Sequence, residues 1–361
     1  MNMIATLLVS NILHFFAPDT AQHQLIVGSY TKKGNPGIEV YAVNAVTGKP
    51  KLLYTKENAN ASYLTLANNG KSMYAVTEGG KDASFVSAYQ LDATNQFQKI
   101  NQEPIKGAAP CFIVSRPESK TVYTANYTSG SVSVFKTLDN GALLPIAQEI
   151  NYSGSSIHKA RQEASHAHNV VLTPDHNQLL VTDLGADKIY MHKIYADGLL
   201  DEKYTSVSIT PGNGPRHFVF NNSGTHGYLI NELSGTVDVF SIRTNTLEKI
   251  QTITADTAKT TATKGSGDIH ISPSGKWLIT TNRVTSEQLT VFKIEADGKL
   301  TKMYHQPVAQ RPRNFSFSPN GNFVFVASQT EDKVQIFSFD DITGKLTNTN
   351  QDMAVSGPVC L

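Results

Sequence analysis

Apolar and polar residues alternate with a period of two along most of the chain, the pattern of strands with one face buried. Phe218-Val219-Phe220 leads into a tight turn at Asn222-Ser223-Gly224, and Tyr228-Leu229-Ile230 leads out of it. Matching turns occur at Asn68-Asn69-Gly70, Arg116-Pro117-Glu118-Ser119, Thr173-Pro174-Asp175-His176, Ser272-Pro273-Ser274-Gly275 and Ser318-Pro319-Asn320-Gly321. Their last residues fall at 70, 119, 176, 224, 275 and 321, which gives intervals of 49, 57, 48, 51 and 46 residues. A repeat of this length suits one four-stranded propeller blade. A third strand follows each hairpin, for example Val237 to Ile242 and Leu289 to Ile294. A glycine turn then often precedes a fourth, as at Gly141, Gly198, Gly298 and Gly344.

A further unit lies ahead of the first turn. Leu25 to Tyr54 carries three strands of it and lacks the innermost one. The chain end, Gly357-Pro358-Val359-Cys360-Leu361, resembles the start of an inner strand at Ala109-Pro110-Cys111-Phe112-Ile113. The expectation is therefore an all-β, seven-bladed β-propeller whose C-terminal strand closes the ring by completing the first blade. No segment shows sustained helical periodicity, and no linker divides residues 23–361. Asp256 to Gly267, rich in Thr and Lys, reads as a surface loop.

Composition narrows the partners. The 361 residues carry 31 Lys+Arg against 30 Asp+Glu, a balance that argues against nucleic acid or an anionic membrane as the main partner. The two cysteines, Cys111 and Cys360, form no CxxC pattern and read as core thiols on non-adjacent blades. Residues 1–22 differ from the rest. Ile4 to Val9 and Ile12 to Phe16 are apolar, and Pro18 and a small-residue patch follow. This segment reads as a secretory leader or a disordered extension, too short and interrupted to span a bilayer. A leader favours a periplasmic or secreted protein, with a cytoplasmic one as the alternative.

The repeat also supplies a coordinate system for a site. Eight residues back from each turn stand Ser62, Cys111, His168, Arg216, Gly267 and Arg313. Eight forward stand Glu78, Tyr127, Leu184, Glu232, Arg283 and Gln329, preceded by Thr77, Asn126, Asp183, Asn231, Asn282 and Ser328. A strand pair joined by a tight turn places its far ends at one edge, so these positions converge on one face around the central channel. Arginines at a channel mouth suit a carboxylate or phosphate, because the guanidinium fork pairs two oxygens at once. A Glu or His beside them can move protons near neutral pH. His166, His168, His217 and His270 lack an accompanying carboxylate or cysteine ligand pattern, so no metal is expected. His158 and Arg161, on the loop before His166, either reach over the site or are plain solvated loop residues, and the second reading is preferred.

Several segments together resemble the lactonase-type seven-bladed propellers, which include a bacterial 6-phosphogluconolactonase and the carboxymuconate lactonizing enzymes. They are Ser165-His166-Ala167-His168-Asn169, Gly214-Pro215-Arg216-His217-Phe218, Asn231-Glu232-Leu233, Ile269-His270-Ile271, Thr281-Asn282-Arg283 and Pro312-Arg313-Asn314-Phe315. The resemblance runs from about residue 25 to the end. Ser328 departs from it, standing where the family often has Asn. The resemblance implies a catalytic group of His168, Arg216, Glu232 and Arg283, a lactone or lactone-forming acid as substrate, and no cofactor. His217, His270, Arg313, Gln329, Asp183 and Asn282 are the expected substrate-binding residues. The expectation is a monomeric hydrolase of a sugar-acid lactone. Its alternatives are a lactonizing cycloisomerase acting on a muconate-type acid, or a non-catalytic propeller that binds a protein or glycan.

Overall fold

The structure is a computed structural model that describes residues 22–31, 34–243, 246–259 and 263–361. The leader or extension reading, residues 1–22, lies outside the described residues except for Gln22, which begins a strand. Seven antiparallel sheets form a ring. Blade 1 holds strands Gln22–Ser29, Gly37–Asn44 and Pro50–Glu57, with Pro358–Cys360 as its innermost strand. Blades 2 to 7 follow in order over residues 64–104, 110–151, 167–208, 215–254, 266–307 and 312–348, each running from its innermost strand outward. The two-residue strand Met353–Ala354 adds to blade 7. The C-terminal strand thus closes the ring as the sequence indicates. No helix among the described residues is long and apolar enough to cross a membrane.

The core consists of seven apolar clusters, one at each interface between neighbouring blades. The period of two explains this arrangement, because successive side chains of a strand leave by opposite faces. In strand His226–Asn231, Leu229 packs toward blade 4, whereas Tyr228 and Ile230 pack toward blade 6. The closing interface joins Leu25, Val27, Tyr41 and Val43 of blade 1 to Phe323, Phe325, Val334 and Ile336 of blade 7.

A bulge recurs at the channel end of the innermost strands. In blade 4, Ala167 pairs with Asp183 and Asn169 with Thr182, which leaves His168 as the extra residue. The same shift singles out Cys111, Arg216 and Arg313, and in blade 6 it falls between Ser266 and Ile269. In blade 1 it isolates Val359. An extra residue leaves the ladder and turns its side chain, and Cys111, His168 and Arg313 thereby line the channel mouth.

Candidate active site

A pocket of about 280 Å³ opens at that mouth, lined by Glu78, Cys111, Tyr127, Arg161, His168, Glu232, Arg283 and Arg313. All but Arg161 are repeat-register positions. Glu232 is at the centre. Its Oε2 accepts from Arg216 Nε at 3.0 Å and Arg283 Nη2 at 2.8 Å, and its Oε1 accepts from Arg161 Nη2 at 2.7 Å. Arg216 lies beneath the pocket, its side chain 2% exposed, and Nη1 also donates to the carbonyl of Gly267 at 2.7 Å. Arg283 Nε is buried without a hydrogen-bond partner. Across the pocket, Arg313 lies 5.5 Å over the Tyr30 ring and 3.7 Å from Glu78, which accepts from the Tyr30 hydroxyl at 2.8 Å.

His168 Nε2 stands 3.8 Å from Glu232 Oε2, and its other nitrogen faces Cys111 Sγ at 3.7 Å. Tyr127 packs edge-on against His168, while the ring of His166 stacks on Tyr127. Burial, joined by the charges of Arg216, His217, Arg313 and Arg283, drives the His168 pKa well below the usual imidazole range, so the ring is neutral at neutral pH. For Glu232, burial works to raise the pKa, but Arg283, Arg216 and Arg161 outweigh it and hold the carboxyl down at about 2. The site therefore presents a fixed carboxylate beside a neutral imidazole. Four guanidiniums (Arg161, Arg216, Arg283, Arg313) face two carboxylates (Glu78, Glu232), an excess of positive charge where an anion would enter.

His217 and His270 lie outside this lining and share Asp268. His217 Nδ1 is 2.6 Å from one oxygen, His270 Nε2 is 2.8 Å from the other, and Asn314 donates to that second oxygen too. His217 meets His168 edge-on at 5.3 Å. Asp268, absent from the sequence reading, thus supports the ring that backs His168.

Asp183 and Asn282, expected among the substrate-binding residues, are fully buried and lie outside the pocket lining. Asp183 accepts from the N–H groups of His166, Gly185 and Ala186 and from the Tyr190 hydroxyl. Asn282 donates to the Ala255 carbonyl and accepts from Ser266. Asn126 and Asn231 occupy the same register and likewise bond side chains just beyond their strand ends. At Asp183 this position pins the turn that follows its strand, and at Asn282 it ties the Ala255 carbonyl to the inner strand through Ser266. Ser328 plays this part with a shorter reach, to the Ala309 carbonyl. Gln329 is half-buried outside the pocket lining, its N–H on the Arg311 carbonyl.

Arg161 departs from the preferred sequence reading. It is not simply a solvated loop residue, because it reaches across the pocket to Glu232 and to the Tyr127 hydroxyl at 3.1 Å. The buried Gln162 holds the loop in place, donating to the Leu184 carbonyl and to Asp187. The longest turn-to-turn interval, 57 residues, contains this loop and was the signal that could have found it. Cys111 and Cys360 are buried free thiols, and the Cys111 side chain also forms part of the pocket wall.

A family model described as "Lactonase, 7-bladed beta-propeller" matches residues 24–361. The chain belongs to this family. A 6-phosphogluconolactonase of Formosa agariphila is 34% identical over 92% of this chain and 97% of its own length. A Bacteroides fragilis protein of solved structure is 38% identical, with a TM-score of 0.89, over 95% of this chain and 97% of its own. The periplasmic gluconolactonase of Pseudomonas aeruginosa is 32% identical, with a TM-score of 0.88, over 94% of this lactonase-family chain and 98% of its own.

Proposed function

We propose that this protein hydrolyses a sugar-acid lactone bearing an anionic group, with 6-phosphogluconolactone as the fitting substrate. The reading rests on one observation: a neutral imidazole and an ionised carboxylate 3.8 Å apart in a pocket with surplus guanidinium charge. Names of relatives support it, since 6-phosphogluconolactonase is among them.

The protonation states favour one division of roles. A carboxyl held at about 2 is a poor proton acceptor and has no proton to give at neutral pH. His168, neutral at neutral pH, takes the role of base in this reading. Its imidazole takes a proton from water as the water oxygen attacks the lactone carbonyl, and Glu232 stabilises the imidazolium. Arg283 and Arg313 bear the oxyanion charge. Collapse of the tetrahedral intermediate breaks the bond from the carbonyl carbon to the ring oxygen, and His168 returns the proton to that oxygen. Water adds and one C–O bond breaks, giving the open hydroxy acid.

The test is a pH-stat assay of phosphorylated and plain sugar lactones, with rates taken above spontaneous hydrolysis. Wild type should turn over at least the phosphorylated lactone, and His168→Gln should lose about a hundredfold or more in kcat. A wild type inactive on every lactone, or a His168→Gln variant at full rate, would overturn the proposal.

A further inference from the structure

Among the four guanidiniums, Arg161 differs in origin and exposure. Arg216 and Arg313 are bulge residues of inner strands, and Arg283 directly follows strand Trp277–Asn282. Arg161 comes from the loop joining blades 3 and 4, and its side chain is 36% exposed against 2%, 13% and 16% for Arg216, Arg283 and Arg313. It is also the guanidinium that engages Glu232 Oε1, whereas Arg216 and Arg283 share Oε2. The loop itself is fixed, because Gln162 is fully buried and the chain folds back through Arg161 N–H to the His158 carbonyl and Ser156 N–H to the Gln162 carbonyl. A pinned backbone with a half-exposed cation at its tip can exchange one anionic partner for another without moving the ring.

We propose that Arg161 is the charge-selecting residue of the pocket: the anionic group of the substrate takes its guanidinium from Glu232, and this exchange makes turnover depend on the substrate's charge. The inference rests on the lactonase reading above. With Arg161 on Glu232, the carboxylate is neutralised three times over and pulls weakly on a proton at His168. Once a phosphate engages Arg161, Oε1 loses its partner and the freed negative charge favours the imidazolium that forms during water attack. A plain lactone has no anion to draw Arg161 away, so it reacts in the clamped state. Binding energy from a remote phosphate is thereby spent at the reacting centre.

The pH profile carries an independent signature. The charged and titratable groups around Glu232 are Arg161, Arg216, Arg283 and His168, with Arg313, Tyr127 and Cys111 further out. Removing one cation from this set raises the pKa values of both Glu232 and His168. The acid limb of kcat/KM should therefore move to higher pH.

The experiment measures kcat/KM for 6-phosphogluconolactone and glucono-lactone with wild type, Arg161→Gln and Arg161→Lys, and calorimetric binding of 6-phosphogluconate. In Arg161→Gln the preference for the phosphorylated lactone should fall roughly tenfold to a hundredfold, the scale of one charged hydrogen bond. Affinity for 6-phosphogluconate should fall with it, and the acid limb should shift upward. Arg161→Lys should recover part of each effect. A variant that slows both lactones equally with an unshifted acid limb would make Arg161 a structural pin and overturn the inference alone. A wild type inactive on both lactones would overturn the site reading and this inference with it.

Discussion

Single residues at this site are defined by what they neutralise. Glu232 holds three guanidiniums, one of them on the fully buried Arg216, so its carboxylate has a structural part beside the proposed chemical one. Glu232→Gln should reduce kcat/KM about a hundredfold or more. It should also cost roughly 3 kcal/mol of stability, because breaking a buried pair leaves the partner charge uncompensated. The pH dependence gives a second check. The Glu232 pKa is depressed from its ordinary 4.5 to about 2, so its stabilising contribution is complete above 4.5 and is lost as pH falls toward 2. Acid titration of stability should be shallower in Glu232→Gln than in wild type over that window. Identical slopes, followed by chemical denaturation at stepped pH, would contradict the pairing. Much of the site was legible at this scale, because His168, Arg216, Glu232, Arg283 and Arg313 stand at fixed distances from a repeated turn. Arg161 was not legible, because no repeat sets the path of a loop. Asp183 and Asn282 share the register's neighbourhood, and only their bonding partners reveal that Asp183 holds a turn and Asn282 the Ala255 carbonyl.

The strands of each blade do two jobs with one alternation, packing sideways against both neighbours and pointing their ends at the channel. The glycine turns before the fourth strands add a recurring clasp. The hydroxyl of Tyr123 donates to the Gly198 carbonyl of the next blade at 2.7 Å, and Tyr74 and Tyr228 do the same to Gly141 and Gly298 at 3.0 Å. These glycines have positive φ, and a Cβ on Gly198 would meet Thr121 Cγ2 at 2.4 Å. Tyr123→Phe keeps the packing and removes the bond. It should cost about 1 kcal/mol and lower Tm by roughly 1–3 °C in calorimetry, with lactonase turnover unchanged. The turns and strands could be read from the chain because they depend on local chemistry. The bulges could not, because a bulge exists only relative to a partner strand, yet they explain why the eight-back position points inward.

The ring as a whole depends on its C-terminal strand. Pro358–Cys360 gives Gly28 and Ser29 their inner partner, and Val359 and Cys360 are almost completely buried. Leu361 packs on the cluster joining blades 1 and 7. A chain ending at Gly357 should lose several kcal/mol, at about 1.5–3 kcal/mol for each large apolar side chain exposed, and should expose an unpaired strand edge. Thermal unfolding should show a large fall in Tm together with increased aggregation, and an unchanged Tm would mean that the ring does not rely on this closure. The sequence by itself determined the repeat, the blade count, the closure and the face that carries the site, because each follows from periodicity and turn chemistry along one chain. Only the tertiary structure decided which polar groups meet across blades. It engaged Asp183 with a turn and Asn282 with the Ala255 carbonyl, backed His168 with His217 and Asp268, and brought Arg161 over the pocket onto Glu232. Those pairings join residues dozens of positions apart, and charge compensation in a buried site depends on distance in space.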